Sequence, residues 1–242
     1  MANAWRPKVV ETYGGWRYRW ADGVTRRANS ALAVRADARV GELVDRATAF
    51  YGQRGAPTLI QVSTMSAPQS LIAYLHAHGY RSTARTLVES AATQDVIEGT
   101  RPTLEIEITQ TPTEEWFRTY WAVESTRGRS DSDMAVCRDI LLDPGLPTAF
   151  AAVRCGSEVT GVGQLVIERG WGGVQCMATD PAQRRRGVAN AVLNGLANEA
   201  RQRGTERMYL AVMAENAAAT ALYERAGFRA VHEYSYFTDH PD

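Results

Sequence analysis

Cysteine is scarce in this chain. Cys137, Cys155 and Cys176 are three in 242 residues, an odd and widely spaced set that frames neither a disulfide scaffold nor a zinc site. They read as reduced thiols, and no metal is expected. Net charge is missing too: 27 basic side chains balance 27 acidic ones, so no collective field recruits nucleic acid or an anionic membrane. No apolar run is long enough to cross a bilayer. Trp5, Arg6 and Lys8 interrupt the start of the chain where a secretory leader would be apolar. The Gly-x-x-x-x-Gly-Lys pattern of a P-loop is absent, as are paired metal-binding carboxylates after a strand, which argues against a nucleoside triphosphate in another fold. What remains is a cytoplasmic protein of small ligands, long enough for one large domain or two small ones.

What is present is concentrated between residues 177 and 189. Met177-Ala178-Thr179 ends an apolar strand, Asp180-Pro181 turns the chain, and Arg184-Arg185-Arg186-Gly187-Val188-Ala189 leads into a helix. Val188, Val192, Leu196 and Ala200 recur at helical spacing, widened by Ala189, Leu193 and Ala197, and Gly204 stops the helix. A glycine-permitted turn at a helix start aims unpaired N–H groups outward, and the helix dipole adds to them, so the turn is suited to an anion. Close approach of a phosphate oxygen would require glycine at 187 and a small residue at 189. Taken alone, the motif reads equally as an arginine-rich solvated turn.

Downstream, Met208 to Met213 reads as a buried strand, and Asn216 to Phe228 as a short helix with Asn216 as N-cap and Gly227 as its stop. An Arg-x-x-Gly-x-Ala turn and helix, a strand, then Asn-x-x-Ala-x-x-Leu-Tyr-x-x-x-Gly-Phe resembles the GNAT superfamily of N-acetyltransferases over roughly residues 103 to 240. The resemblance implies an α/β (α+β) fold with a mixed, mostly antiparallel sheet flanked by helices. It implies acetyl-CoA as co-substrate, with the pyrophosphate on Arg184, Arg185, Arg186, Gly187, Val188 and Ala189. The pantetheine arm would lie along Met177, Ala178 and Thr179, with Asn216 and Ala219 as further cofactor contacts. The acceptor would be a primary amine of a small molecule, amino acid or peptide, attacked directly in a ternary complex by a monomer or homodimer. A non-catalytic acyl-CoA sensor is the alternative.

The remaining elements fit that order. Leu104 to Ile108 alternates as a half-exposed strand, Thr113 opens a helix to about Glu124, and a second helix runs from about Ser132 to Leu142. Ala149 to Cys155 and Val159 to Glu168 form a hairpin, and Arg169 to Gly173 is expected to turn the chain into a strand from Val174 to Thr179. The first 101 residues hold a degenerate relative of the same unit. Gln53-Arg54-Gly55, a strand, a helix and Gly79-Tyr80-Arg81 parallel Gln202-Arg203-Gly204, a strand, a helix and Gly227-Phe228-Arg229. In that copy Arg35 falls at Arg184, but Ala38 replaces Gly187, Val40 replaces Ala189 and Leu75 replaces Tyr223, so no pyrophosphate site is expected there. The division is placed at 1–101 and 102–242. Gly15 to Trp20 alternates aromatic residues with Arg17 and Arg19, which reads as a core-facing aromatic row with a solvated arginine face. A second possibility is that Arg26, Arg27 and Asn29 line an acceptor cleft between lobes.

Tyr223 is the candidate catalytic residue, because a phenol of pKa ~10 is matched to protonating a thiolate leaving group. Its plain alternative is a packed tyrosine with its hydroxyl in water. Cys176 reads as a sheet residue rather than an acyl-accepting nucleophile, since no histidine pattern accompanies it. No general base stands out. The strand before the loop, Val174-Gln175-Cys176, offers no carboxylate, which leaves Glu124, Asp131, Asp133, Glu168 and His232. Arginines between Ser125 and Arg129 hint at an acceptor that bears a carboxylate, or are solvated loop charge.

Overall fold

The computed structural model describes residues 2–34, 39–67, 69–125, 130–142 and 145–240. Arg35, Ala38 and the arginines at 127 and 129 lie outside the described residues. In chain order come β1 (Val9–Tyr13), β2 (Trp16–Trp20), β3 (Ala31–Ala33), α1 (Val40–Gly52), β4 (Leu59–Ser63), α2 (Gln69–Ala77), β5 (Arg81–Ala92) and α3 (Thr93–Gly99). There follow β6 (Ile106–Thr109), α4 (Glu114–Glu124), α5 (Asp131–Leu142), β7 (Thr148–Cys155), β8 (Glu158–Glu168), β9 (Trp171–Thr179), α6 (Val188–Gln202), β10 (Arg207–Met213), α7 (Ala217–Arg225) and β11 (Arg229–Thr238).

All strands join one 11-stranded sheet in the order β1-β2-β3-β4-β11-β5-β10-β9-β8-β7-β6. Only β3 with β4 and β10 with β9 pair in parallel; the other neighbours are antiparallel. The centre of the sheet records the internal repeat. β5 follows α2 but pairs with β10, and β11 follows α7 but pairs with β4, so each half lends its last strand to the other. The two lent strands pair with each other: Arg81 faces Thr238 at one end, Arg229 faces Ser90 at the other, and Thr86 faces Tyr234 between them. The stretch from Gly99 to Pro102 is therefore a crossing between interleaved halves. Gly99 is pressed against α7, where an added Cβ would lie 2.8 Å from the Arg225 carbonyl oxygen.

The buried side chains fall into layers. On one face of the carboxy-terminal strands, α6 and α7 cover Ala149, Ala151, Leu165, Val174 and Met208; on the other, α4 and α5 cover Phe150, Val162, Val166 and Ala178. Val188, Val192, Leu196 and Ala200 are buried as the helical spacing requires, whereas Ala189 is only half-buried. Gly161 and Gly163 on β8 admit this helix. A Cβ at 161 would collide with Val188, and one at 163 would lie 2.6 Å from Val192 Cγ1. Their bare backbone sets where α6 begins.

Two expectations need correction here. The turn before β9 is confined to Arg169 and Gly170, both with positive φ, while Trp171, Gly172 and Gly173 already belong to the strand. Gly173 is there for contact, since its Cβ would stand 2.6 Å from the Tyr209 ring. Trp16 and Tyr18 are buried as an aromatic row, but only Arg17 is solvated. Arg19 is buried, and donates to the Ser30 carbonyl (2.9 Å), Ser30 Oγ (2.7 Å) and Gln61 Oε1 (2.7 Å). Alternation put it on the outer face of one strand without revealing the buried partners, Ser30 and Gln61, that the fold brings beside it.

Candidate active site

The site begins where two parallel strands part. β9 and β10 pair only through Trp171–Arg207, Gly172–Met208 and Gly173–Tyr209. Beyond them Val174 to Met177 and Leu210 to Met213 stand on opposite sides of a cleft of about 270 Å³. A bulge in β9 sharpens the divergence: Val162 faces Ala178 and Gln164 faces Gln175, which leaves Cys176 and Met177 opposite Gly163 alone. Cys176 takes φ 52°, an uncommon conformation for a residue with a Cβ. The Asp180 N–H donates to the Thr160 carbonyl on β8. By alternation the Thr179 N–H then faces the opposite, open edge.

The turn after β9 ends in Gly187, which caps α6 in the left-handed region (φ 82°) with no side-chain cap. The amides of the first turn of α6 thus have no partner within the helix. Arg184, Arg185 and Arg186 are exposed, and none forms an ion pair among the described residues. A Cβ at 187 would meet no protein atom within 4 Å, so within the chain itself the left-handed backbone angle is what calls for glycine. Val188 points into the core and offers only its amide.

On the other side of the cleft, Asn216 Oδ1 caps α7 by accepting from the Ala219 N–H (3.2 Å). Asn216, Ala219 and Tyr223 all line the cleft, as does Met177. Ala178 is buried beneath the α4 layer and does not line it. The Tyr223 ring is 7% exposed and packs edge-on against Phe228 at 6.0 Å. Burial, with a smaller contribution from the charge of Glu89, raises the Tyr223 phenol well above the ordinary value assumed from sequence. It therefore keeps its proton at neutral pH and is a weaker acid than a free phenol. Burial likewise raises the Cys176 thiol, which donates toward Gln164 Oε1 at 3.6 Å and is no nucleophile at neutral pH.

Of the five candidate bases, Glu124 alone lines the cleft. Asp133 caps α5 by accepting from the Ser130 N–H (2.8 Å), and Glu168 accepts from Asn3 Nδ2 (2.5 Å) at the far end of β8. Asp131 stands at the exposed start of α5, and His232, its pKa lowered by burial, sits on β11; neither lines the cleft.

The amino-terminal half reaches in as well. Trp5, Thr25, Arg26, Arg27, Ala84 and Thr86 line the cleft with Tyr120, Gln175, Tyr234 and Tyr236. Asn29 does not: its side chain accepts from the Ala21 and Gly23 amides (2.7 and 2.9 Å) and donates to the Val24 and Thr25 carbonyls (2.6 and 2.8 Å). It ties the loop that presents Arg26 and Arg27. Sequence reading missed Gln175 as a cleft residue, and also Thr86, Tyr234 and Tyr236. The last three arrive through strand exchange, which leaves no local signal.

Residues 1–237 match the family described as "Probable histone acetyltransferase Rv0428c C-terminal". The chain belongs to that family. It shares the GNAT fold with a GCN5-related N-acetyltransferase from Kribbella flavida, at TM-score 0.74 and 14% identity over 99% of this chain and 92% of that one. A tandem GNAT protein from the clavulanic acid biosynthesis pathway aligns at TM-score 0.65 and 9% identity, over 84% of this chain and 70% of that one. In sequence, the chain is 28% identical to the "Uncharacterized N-acetyltransferase YobR" of Bacillus subtilis (strain 168), over 97% of this chain and 94% of YobR. A 52-residue stretch is 46% identical to the ribosomal protein bS18-alanine N-acetyltransferase of Escherichia coli (strain K12), which is 22% of this chain and 35% of that enzyme. This family member is thus a GNAT-superfamily acetyltransferase whose sheet runs unbroken through both halves.

Proposed function

We propose that this protein moves an acetyl group from acetyl-CoA to a primary amine of a small molecule, amino acid or peptide, by direct attack in a ternary complex. One observation carries the reading: β9 and β10 part beside a glycine-capped helix start whose first amides are open. The chemistry of that donor set fits coenzyme A. The amides at 187 to 189 and the guanidinium groups of Arg184 to Arg186 would hold the diphosphate. The open edge of Met177 to Thr179, with Asn216 and Ala219, would hold the arm. Bound there, acetyl-CoA supplies an acyl group activated as a thioester.

The chain's own groups supply the rest. Glu124 takes a proton from the acceptor ammonium, so that the amine lone pair is free. The outward Thr179 amide and the bulged Met177 backbone provide N–H donors for negative charge that develops on the carbonyl oxygen. Tyr223 donates its hydroxyl hydrogen to the departing sulfur and is reprotonated by the second proton that the nitrogen loses as the amide forms. Overall an N–C bond forms, a C–S bond breaks, and one proton is released for each ammonium consumed. The names of YobR and of the bS18 enzyme, both N-acetyltransferases, support the same reaction class. Incubation with acetyl-CoA and an amine panel, followed by free thiol, tests the reading. Amine-dependent thiol release is the expected result. Tight coenzyme A binding without turnover on any amine would instead make the protein an acyl-CoA sensor.

A further inference from the structure

The cleft is lined by a cation without an ion pair and by two buried polar side chains without hydrogen-bond partners among the described residues. Arg27 lines the cleft with its guanidinium 5.2 Å above the Trp5 ring. It makes no ion pair or hydrogen bond among the described residues, although Tyr120, Cys176, Tyr234 and Tyr236 surround it. Arg27 is only partly buried, and a guanidinium held among aromatic side chains with no ion-pair partner among the described residues is placed to receive an anion. Trp5 and Gln175 are each 6% exposed and also line the cleft. The Trp5 indole N–H and both polar atoms of the Gln175 amide lack a hydrogen-bond partner among the described residues. Buried donors are ordinarily satisfied, so unpartnered donors on residues that line a cleft are candidates for contact with a ligand.

The loop bearing Arg27 is built rather than loose. Thr25 sits at φ 66°, an unfavourable angle for a β-branched residue, and the four Asn29 hydrogen bonds hold the turn in place. Arg26 lines the cleft beside Arg27, and Glu124 is the carboxylate among the lining residues.

Resting on the transferase reading, we propose that the acceptor is an amino carboxylate: a small molecule whose carboxylate is bound by Arg27, Trp5 and Gln175 while its amine faces Glu124. The planar guanidinium suits a carboxylate in a bidentate pair, and the indole and amide N–H groups complete the donor set. The aromatic walls of Tyr120, Tyr234 and Tyr236 suit a compact side chain. Basic peptides fit poorly, because Arg26 and Arg27 would repel the lysines and arginines that flank the target amine.

The test compares amino acids with the matching amines that lack the carboxylate, and with a lysine-rich peptide, by thiol release and by calorimetric binding to the coenzyme A-loaded protein. Wild type is expected to favour each amino acid over its decarboxylated partner by ~10-fold or more in kcat/KM or affinity. Arg27→Gln should abolish that preference chiefly through KM, Arg27→Lys should restore part of it, and both should keep wild-type affinity for coenzyme A. Equal or better use of the decarboxylated amines or the peptide would overturn the proposal. So would an Arg27→Gln variant that binds coenzyme A and keeps its preference, or absence of carboxylate-dependent binding to the loaded protein. Coenzyme A affinity of the wild type reports separately on the transferase reading, so the two can fail independently.

Discussion

At the scale of single residues, the site depends on a few backbone angles and buried groups. Gly187 at φ 82° stands in open space. Gly187→Ala should therefore weaken coenzyme A binding by way of backbone strain, about 1–2 kcal/mol or roughly tenfold in Kd. Titration calorimetry checks this, with Gly204→Ala, at φ 72° past the end of the same helix, as a control for strain remote from the loop. Tyr223→Phe should lower kcat by ~10- to 100-fold with little change in KM for acetyl-CoA, as measured by steady-state thiol release. An unchanged kcat would return Tyr223 to the core. The glycine, the asparagine cap and the tyrosine were legible in the sequence because each belongs to a local motif. The raised pKa of Tyr223 was not, since its burial against Phe228 and its nearness to Glu89 on β5 arise only in the fold.

Among the elements, β9, β8 and β5 decide most. Gly163 faces the β9 bulge and the underside of α6, so Gly163→Val should press on Val192 and Met177 and cost about 1–3 kcal/mol. Denaturant melts would show the loss, and an unaffected midpoint would mean that the crossing is not tight. On β5, Glu89 is 2% exposed and its Oε2 lacks a partner among the described residues. Burial first, and then Glu224, raises its pKa, against the opposing effect of Arg229. A carboxyl whose folded pKa is raised favours the folded state at low pH, and that contribution is lost as pH rises through the folded value. Glu89→Gln, which keeps the neutral shape, should therefore match wild type in Tm near pH 4 and exceed it at pH 8. Thermal melts across that range give the answer, and a lower Tm at pH 8 would mean that the ionised form is satisfied. Periodicity located nearly every element of the carboxy-terminal half, because helical stripes and alternation are local. It could not place the bulge, for which Gln175-Cys176-Met177 carries no glycine signal, or show that Gly172 and Gly173 make packing contacts rather than a turn.

The whole molecule is one sheet assembled from two related halves. The repeated Gly-aromatic-Arg endings at Gly79 and Gly227 announced the relationship, and each introduces a strand that crosses into the other half. The crossing itself was invisible, because either strand satisfies the same alternation in its own half. Thermal unfolding by calorimetry should accordingly show one cooperative transition, since β11 separates β4 from β5 and neither half closes alone. Two resolved transitions would mean that the halves fold independently. The exchange also brings Thr86, Tyr234 and Tyr236 to the cleft that Arg27 lines, so the cleft draws on both halves.

The central claim is that the amides opening α6 receive the diphosphate of acetyl-CoA. Hydrogen–deuterium exchange at residues 187 to 189, with and without coenzyme A, tests it most directly. The account predicts marked slowing with coenzyme A and none with pantetheine, which lacks the diphosphate. Coenzyme A that binds tightly while exchange at these amides stays unchanged would contradict it.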